Sequence, residues 1–176
     1  AKFNNDGLVA ATIGTPQSCN VLSANEASFE TGGGGWIPIN ANATVAVDTA
    51  PEGTDGSDAL KITQVAGGYS GALSQNYSSY LVAGQSYTFS FYLYNSAATS
   101  RTVAFQLATN AGNLNGVTLG SAAPGVWTRY STTFTPASTY TSAKLNPVIY
   151  GAVGDVSYMD NVMLNKGALV DWSAGL

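Results

Sequence analysis

Hydrophobic and polar positions alternate along many short segments of the chain, whereas no segment keeps a helical repeat over three turns. The clearest segment is Tyr87–Tyr94, in which every second residue is aromatic or aliphatic. Because successive side chains of a strand point to opposite faces, this pattern predicts a strand with one face towards a core. The same pattern predicts strands at 19–22, 44–48, 59–65, 71–75, 102–108, 126–135, 143–150 and 155–164.

The segments between these strands contain residues that favour turns, among them Pro51-Glu52-Gly53, Gly67-Gly68 and Pro124-Gly125. Roughly nine to eleven strands with such turns predict an all-β fold, an antiparallel β-sandwich of the jelly-roll type. The strand pattern covers residues 18–166, which we predict to form one domain. Residues 1–17 and 167–176 lie outside the pattern and are predicted to be N-terminal and C-terminal arms.

Composition agrees with this fold and restricts the partners. Only 9% of the residues are charged, against about 25% in an average protein, so uncharged polar residues must form most of the polar surface. With six Lys and Arg and a net charge of −4, the chain has no basic patch for nucleic acid. No apolar run approaches the 18 or so residues of a membrane-spanning helix. The start at Ala1 fits removal of an initiator Met or cleavage of a secretory signal, and the polar residues that follow favour the first.

Catalytic chemistry has few candidates in this sequence. The absence of His excludes Ser-His-Asp and Cys-His nucleophiles and every His-based metal site, and the single Cys19 excludes an internal disulfide. A pair of carboxylates, as in glycoside hydrolases, remains open from residue types alone. The acidic residues within 48–58 and 155–160, however, fall at turns or strand ends, where a solvated carboxylate is the ordinary interpretation. We therefore expect that the protein is not an enzyme.

The aromatic residues carry a functional hint. Tyr92 and Tyr94 share the polar face of their strand with Thr and Ser, so core packing does not account for them. Aromatic rings on a polar sheet face can stack on the apolar faces of sugar rings, while amides bond the hydroxyls. This predicts a carbohydrate-binding face with Tyr92 and Tyr94 as platforms and Gln106 and Asn146 as polar partners. The alternative, that a loop or another subunit covers this face, remains open.

Five motifs follow one another in a recognisable order: N-E-A-S-F-E-T-G-G-G-G-W, G-S-D-A-L-K-I, Y-T-F-S-F-Y-L-Y, W-T-R-Y-S-T-T-F-T-P and Y-M-D-N-V-M-L. Together they resemble the jelly-roll carbohydrate-binding modules of families four, nine and twenty-two, over about residues 20–166. The resemblance implies that Phe29 enters the core and that a glycine-rich turn delivers Trp36 to the next strand. Four consecutive glycines exceed what the family pattern needs.

The resemblance also implies a cofactor. Modules of these families commonly hold a structural calcium where the first and last strands meet. Glu30 and Asp160 match the acidic positions of the motifs, and Asp58 is a third candidate. Carboxylate and carbonyl oxygens are the ligands that Ca²⁺ prefers. The alternative is that these residues are ordinary polar residues at strand ends.

A narrower resemblance concerns the edges of the domain. Residues 20–25 before Ser28-Phe29-Glu30, and residues 160–164 before Gly167 and Trp172, are similar to virion proteins of tailed bacteriophages. It implies a non-enzymatic head-decoration or minor tail protein at the virion surface, in contact with its own copies and with shell or tail proteins through the arms. Binding to cell-surface glycans would be secondary. The alternative is a secreted carbohydrate-binding module of a polysaccharide-degrading enzyme.

Overall fold

The fold is that of a two-layered antiparallel β-sandwich, in a computed structural model that describes residues 20–53 and 56–172. This confirms the prediction of an all-β jelly roll. Its elements are α1 (Ala24–Ala27), β1 (Ile37–Pro38), β2 (Ala43–Thr49), β3 (Asp58–Gln64), β4 (Tyr69–Leu73), β5 (Tyr87–Asn95), β6 (Arg101–Thr109), β7 (Gly112–Ala122), β8 (Trp127–Phe134), β9 (Ala143–Tyr150) and β10 (Val156–Lys166).

The strands form two sheets of five. Sheet A has the order β1-β4-β9-β6-β7, and sheet B has the order β2-β3-β10-β5-β8. All the strand pairings within the two sheets are antiparallel, and most neighbours in space are distant in sequence. Each sheet therefore contains strands from both halves of the chain, so neither half could complete a sheet alone.

Two strand predictions were wrong. Residues 20–22 are not a strand, although the Val21 amide donates to the Leu164 carbonyl at 2.8 Å. The alternation predicts no strand between residues 108 and 126, where glycines and asparagines favour turns, yet Gly112–Ala122 form β7. The ladder to β6 stabilises β7 through hydrogen bonds that local composition does not reveal, and its register shifts twice along the pair.

The core lies between the two sheets and is rich in aromatic rings. Phe89, Phe91 and Phe105 have no exposed surface, and Tyr130 and Phe134 are buried at its margin. The Phe89 and Phe105 ring centroids are 5.0 Å apart, which joins sheet B to sheet A across the core. Each such ring buries about 150–250 Å² of surface, so these side chains supply much of the hydrophobic driving force. The burial of these five side chains agrees with the alternation, which predicts one core-facing side for each of their strands.

The glycine-rich segment is a compact turn that places Trp36 in the core. Phe29 has no exposed surface and Trp36 is 5% exposed, as the resemblance implied. The Trp36 indole Nε1 donates to the Glu26 carbonyl at 3.1 Å. Gly34 has φ +55°, and a Cβ built there would lie 2.5 Å from the Glu26 Cα. The run of glycines thus turns back against α1, at a distance that no side chain at Gly34 would permit.

Glu26 holds this turn from inside. Its carboxylate accepts hydrogen bonds from the Ser23 amide and hydroxyl, at 3.1 and 2.7 Å, and from the Tyr77 hydroxyl. Burial, and then the hydrogen bond to Glu26, raise the pKa of the Tyr77 phenol. Since the phenol keeps its proton, it remains a donor to the buried carboxylate. Three donors thus satisfy a carboxylate that is only 7% exposed.

The predicted arms are only partly described. The predicted N-terminal arm, 1–17, lies outside the described residues, as do 173–176 of the predicted C-terminal arm. Residues 167–172 lie against their own domain: Thr88 Oγ1 donates to the Gly167 carbonyl at 2.6 Å, and Arg129 Nη2 donates to the Val170 carbonyl at 2.7 Å. Leu169 and Val170 nevertheless remain exposed. Within the described part of the chain, no helix is long and apolar enough to cross a membrane.

Candidate carbohydrate-binding face

The outer surface of sheet A is formed by alternate residues of its central strands. On β9, Leu145 and Ile149 belong to the core, so Asn146 and Tyr150 stand on the opposite side. The register pairs Gln106 of β6 with Asn146, which places their side chains next to each other on this outer surface. We call the surface defined by Tyr69, Gln106, Asn146 and Tyr150 the tyrosine face.

Two tyrosines form the aromatic part of this face. Tyr69 of β4 pairs with Tyr150 of β9, and their ring centroids are 5.9 Å apart with an angle of 53° between the planes. Their exposed fractions are 40% and 45%, so about half of each ring is open to a ligand. Beside them β4 approaches β9 closely at Gly71, where a Cβ would lie only 2.3 Å from the Pro147 carbonyl oxygen.

Amide side chains form the polar part. Gln106 Oε1 accepts hydrogen bonds from Asn113 Nδ2 at 3.1 Å and from Asn146 Nδ2 at 3.4 Å. These two bonds orient the Gln106 amide and leave its Nε2 as a donor. Asn146 is 2% exposed, and its Oδ1 has no hydrogen-bond partner among the described residues. A buried acceptor without a partner costs about 1–3 kcal/mol, so this amide oxygen is an unsatisfied group beneath the outer surface of sheet A.

A cavity of about 230 Å³ opens beside Tyr150. It lies over β6 and β7, and its lining consists of Ala104, Phe105, Gln106, Gly116, Val117, Thr118 and Tyr150.

The turn that follows Tyr150 is held by Asp155, which accepts hydrogen bonds from Arg101 Nε and, at 2.6 Å, from the Ala152 amide. The hydrogen bond from Arg101 is the main cause that lowers the pKa of the Asp155 carboxyl. The ion pair therefore stays formed at neutral pH and fixes the end of β9.

The structure separates the four residues predicted to bind carbohydrate into two pairs. Gln106 and Asn146 are brought together on the tyrosine face, as just described. Tyr92 and Tyr94 lie on β5 in sheet B, on the outer surface at the other side of the sandwich. The expectation that all four share one ligand is therefore wrong, because the thickness of the domain lies between the pairs.

Tyr92 and Tyr94 are partly buried by contacts with side chains of the neighbouring strand β8. The Arg129 guanidinium lies 5.9 Å from the centre of the Tyr92 ring. The Tyr94 ring packs against Trp127 at 5.4 Å, and the Trp127 Nε1 donates to the Pro51 carbonyl at 3.0 Å. Residues 167–172 contribute the further contacts to Thr88 and Arg129 given above. The loop at Pro51 and residues 167–172 thus contact the neighbours of the two tyrosines, while the rings of Tyr92 and Tyr94 pack against side chains of the paired strand.

Sequence reasoning missed Tyr69 and Tyr150, although one signal was present. The predicted strand 143–150 contains Asn146 and Tyr150 four residues apart, so strict alternation places them on one face. The sequence carries no such signal for Tyr69, because the predicted strand at 71–75 begins after this residue. In the structure, β4 begins at Tyr69. Its pairing with Tyr150 is a contact between strands about 80 residues apart in the chain.

The three predicted calcium ligands do not form a carboxylate cluster. Among residues 20–53 and 56–172, no group of three or more Cys, Asp or Glu side chains could hold a metal ion. Glu30 accepts hydrogen bonds from the amides of Ser57 and Asp58. Desolvation is the largest single influence on the pKa of the Glu30 carboxyl and acts to raise it, but the hydrogen bonds from the Asp58 and Ser57 amides and the Ser57 hydroxyl together outweigh it, so the pKa is lowered. Asp160 is fully buried next to Asn161, whose Oδ1 has no partner among the described residues.

The calcium site stays a prediction, for which the buried amide oxygen of Asn161 and the carboxylate of Asp160 are the fitting groups. Ca²⁺ takes six to eight oxygen ligands, so backbone carbonyls would have to complete the shell. We expect 1 mM CaCl₂ to raise the melting temperature of the EDTA-treated protein by several degrees, while MgCl₂ does not. The variant Asp160→Asn should abolish that shift, and Asp48→Asn, which lies on an exposed edge, should keep it. An identical melting temperature with and without calcium would contradict the site.

Comparison with known proteins agrees with the fold. The chain matches the family model of the carbohydrate binding domain of CBM types 4 and 9 over residues 23–148. No curated protein sequence gives a significant match. The C-terminal family 22 carbohydrate-binding module of Clostridium thermocellum Xyn10B is similar in structure, with a TM-score of 0.68 and 19% identity, over 82% of this chain and 94% of that one.

Two further solved structures are much longer than this chain. The CBM22-1–GH10 modules of C. thermocellum xylanase 10B, complexed with xylohexaose, match with a TM-score of 0.65 and 17% identity, over 80% of this chain and 28% of that one. The enzymatically active domain of tailspike protein 4 of bacteriophage CBA120 matches with a TM-score of 0.57 and 18% identity, over 85% and 22%. At such identities these structures show a shared fold, whereas the match over 23–148 shows that the chain belongs to the carbohydrate binding domain family of CBM types 4 and 9.

Proposed function

We propose that this protein is a non-catalytic module that binds a neutral polysaccharide on the tyrosine face. The observation that carries the proposal is the exposed Tyr69–Tyr150 pair on the same sheet surface as the amides of Gln106 and Asn146. Aromatic rings supply an apolar surface for sugar rings, and amides supply directed hydrogen bonds to hydroxyls. This combination suits a ligand that is apolar on its ring faces and polar at its edges, which is the character of a glycan chain.

The geometry of the pair restricts the shape of the chain. Two rings inclined by 53° cannot both lie flat against a straight ribbon of sugar rings. A chain whose successive units are rotated relative to each other would instead meet both rings. The family 22 module named as a xylan-binding domain shares the fold, with a TM-score of 0.67 and 19% identity. A xylan-type chain is therefore the first ligand to test.

The test is to screen this protein for binding to soluble and insoluble polysaccharides. We expect retention on xylans or related neutral β-linked glycans in affinity electrophoresis, with dissociation constants in the micromolar to millimolar range, because a shallow face buries little of a ligand. Polyanionic glycans should bind less, since the protein carries a net charge of −4. No retention by any neutral glycan in the screen would contradict the proposal.

Whether this module belongs to a virion or to a secreted enzyme is a separate question. The fold similarity to a bacteriophage tailspike domain supports a virion surface component that attaches to glycans, with its own copies and shell or tail proteins as partners. The fold similarity to xylanase modules supports the alternative, a secreted module of a polysaccharide-degrading enzyme. Mass spectrometry of purified virions distinguishes the two: peptides of this chain in the particle support the first, and their presence in a secreted glycoside hydrolase supports the second.

A further inference from the structure

The cavity beside Tyr150 is small for an oligosaccharide. Its volume of about 230 Å³ lies below the range of about 300–1,000 Å³ that is typical of pockets for drug-sized ligands. It therefore has room for a single sugar unit or for part of one. It is also continuous with the tyrosine face, since the Tyr150 ring both pairs with Tyr69 and lines the cavity.

The order of the strands in sheet A places the cavity next to a polysaccharide bound on the two tyrosines. From β4 to β7 the strands carry Tyr69, then Tyr150, then the cavity over β6 and β7. Neighbouring strands are about 4.8 Å apart, so the middle of the cavity lies roughly 7 Å beyond the strand of Tyr150. A sugar unit attached to the one stacked on Tyr150 can reach it without leaving the surface.

The lining indicates the chemistry of that unit. The lining combines the polar residues Gln106 and Thr118 with the apolar Ala104 and Val117, and none of the lining residues is charged. A uronic acid or a sulfated sugar would lose its hydration there without an opposite charge to replace it. A neutral sugar with hydroxyls at its edge and CH groups on its face matches the lining.

We propose, on the basis of the function proposed above, that this cavity binds one neutral monosaccharide unit that projects from the chain stacked on Tyr69 and Tyr150. Two sources provide such a unit: a side branch on the main chain, or the terminal sugar of the chain. In both cases the tyrosine face binds the main polysaccharide chain, and the cavity selects polysaccharides that have a side branch or a terminal sugar at this point. The small residues Ala104 and Gly116 create the space.

Gly116 allows a clean test. Its backbone is not in the left-handed region, and a Cβ there meets only the Gln106 side chain, at 3.9 Å and beyond. Gly116→Val therefore fills the cavity without backbone strain, and Val suits a strand. Ala108→Val adds the same kind of volume to β6 outside the cavity and is the matched control. Unchanged melting temperatures verify that both variants are folded.

The ligands in calorimetric titrations are a linear xylo-oligosaccharide, the same backbone with arabinosyl branches, and long linear xylan. A side branch predicts that Gly116→Val weakens binding of the branched ligand by about tenfold and leaves both linear ligands within twofold. A terminal sugar predicts a tenfold loss for short linear oligosaccharides and no loss for the long polymer. If Gly116→Val binds every ligand like Ala108→Val, the cavity site is overturned while the tyrosine face stands. If the unaltered protein binds none of them, the cavity site falls together with the proposed xylan-type ligand.

Discussion

Replacing Gly34 with alanine is expected to lower the free energy of unfolding by about 3 kcal/mol. Two costs add up to that value. A non-glycine residue in the left-handed region costs about 1–2 kcal/mol, and Gly34 has φ +55°. The added Cβ would also lie 2.5 Å from the Glu26 Cα and 2.7 Å from the Asn25 carbonyl oxygen, both backbone atoms that cannot move independently. Overpacking of this kind costs about 1–3 kcal/mol. Urea denaturation followed by tryptophan fluorescence measures the difference.

The neighbouring glycine supplies the control. Gly33 is not in the left-handed region, and a Cβ there would contact only Val47 Cγ2, at the ordinary distance of 3.6 Å. Gly33→Ala should therefore change the stability by less than about 1 kcal/mol, with a gain from the reduced entropy of the unfolded chain. If the two variants unfold at the same urea concentration, the close contact between the glycine turn and α1 does not exist as described.

Replacing Tyr150 with alanine is expected to reduce the affinity for the bound polysaccharide by tenfold or more. The stacking part of the ring is about 60 Å², which at about 25 cal/mol per Å² corresponds to about 1.5 kcal/mol, or roughly tenfold in the dissociation constant. Tyr150 also borders the cavity and faces Tyr69, so its removal affects both binding elements. Because Tyr150 is 45% exposed, the loss of stability should be small. Affinity electrophoresis on the ligand found in the screen measures the effect.

Tyr80 is the matched control for this variant. It is the more exposed tyrosine, at 57%, but it lies in the connection between β4 and β5 instead of on sheet A. Tyr80→Ala should therefore bind like the unaltered protein. Equal affinities of Tyr150→Ala and Tyr80→Ala, with binding intact in both, would contradict the assignment of the tyrosine face. A Tyr69→Ala variant should lose affinity to a comparable degree.

The contacts on the outer surface of sheet B show why alternation alone does not distinguish Tyr92 and Tyr94 from Tyr150. Tyr92 and Tyr94 alternate with core residues in the same way that Tyr150 does, so the pattern assigns all three to outer surfaces. Alternation distinguishes inward from outward positions but does not say which of the two outer surfaces is open. That depends on residues 167–172 and on the loop at Pro51, which contact sheet B through hydrogen bonds from Thr88, Arg129 and Trp127. Such contacts between distant segments leave no periodic signal.

By itself, the sequence determined the class of this protein. Period-two alternation, turn residues and ordered motifs predicted the all-β sandwich, and the absence of His removed most catalytic chemistry, because both properties depend on local residue types. It also indicated Gln106 and Asn146, since each stands at an outward position of its strand. Only the tertiary structure paired Tyr69 with Tyr150, opened the cavity over β6 and β7, and showed that Gly34 is packed against α1. These features arise where segments far apart in the chain meet, and the distances between such segments are set by the packing of the whole sandwich.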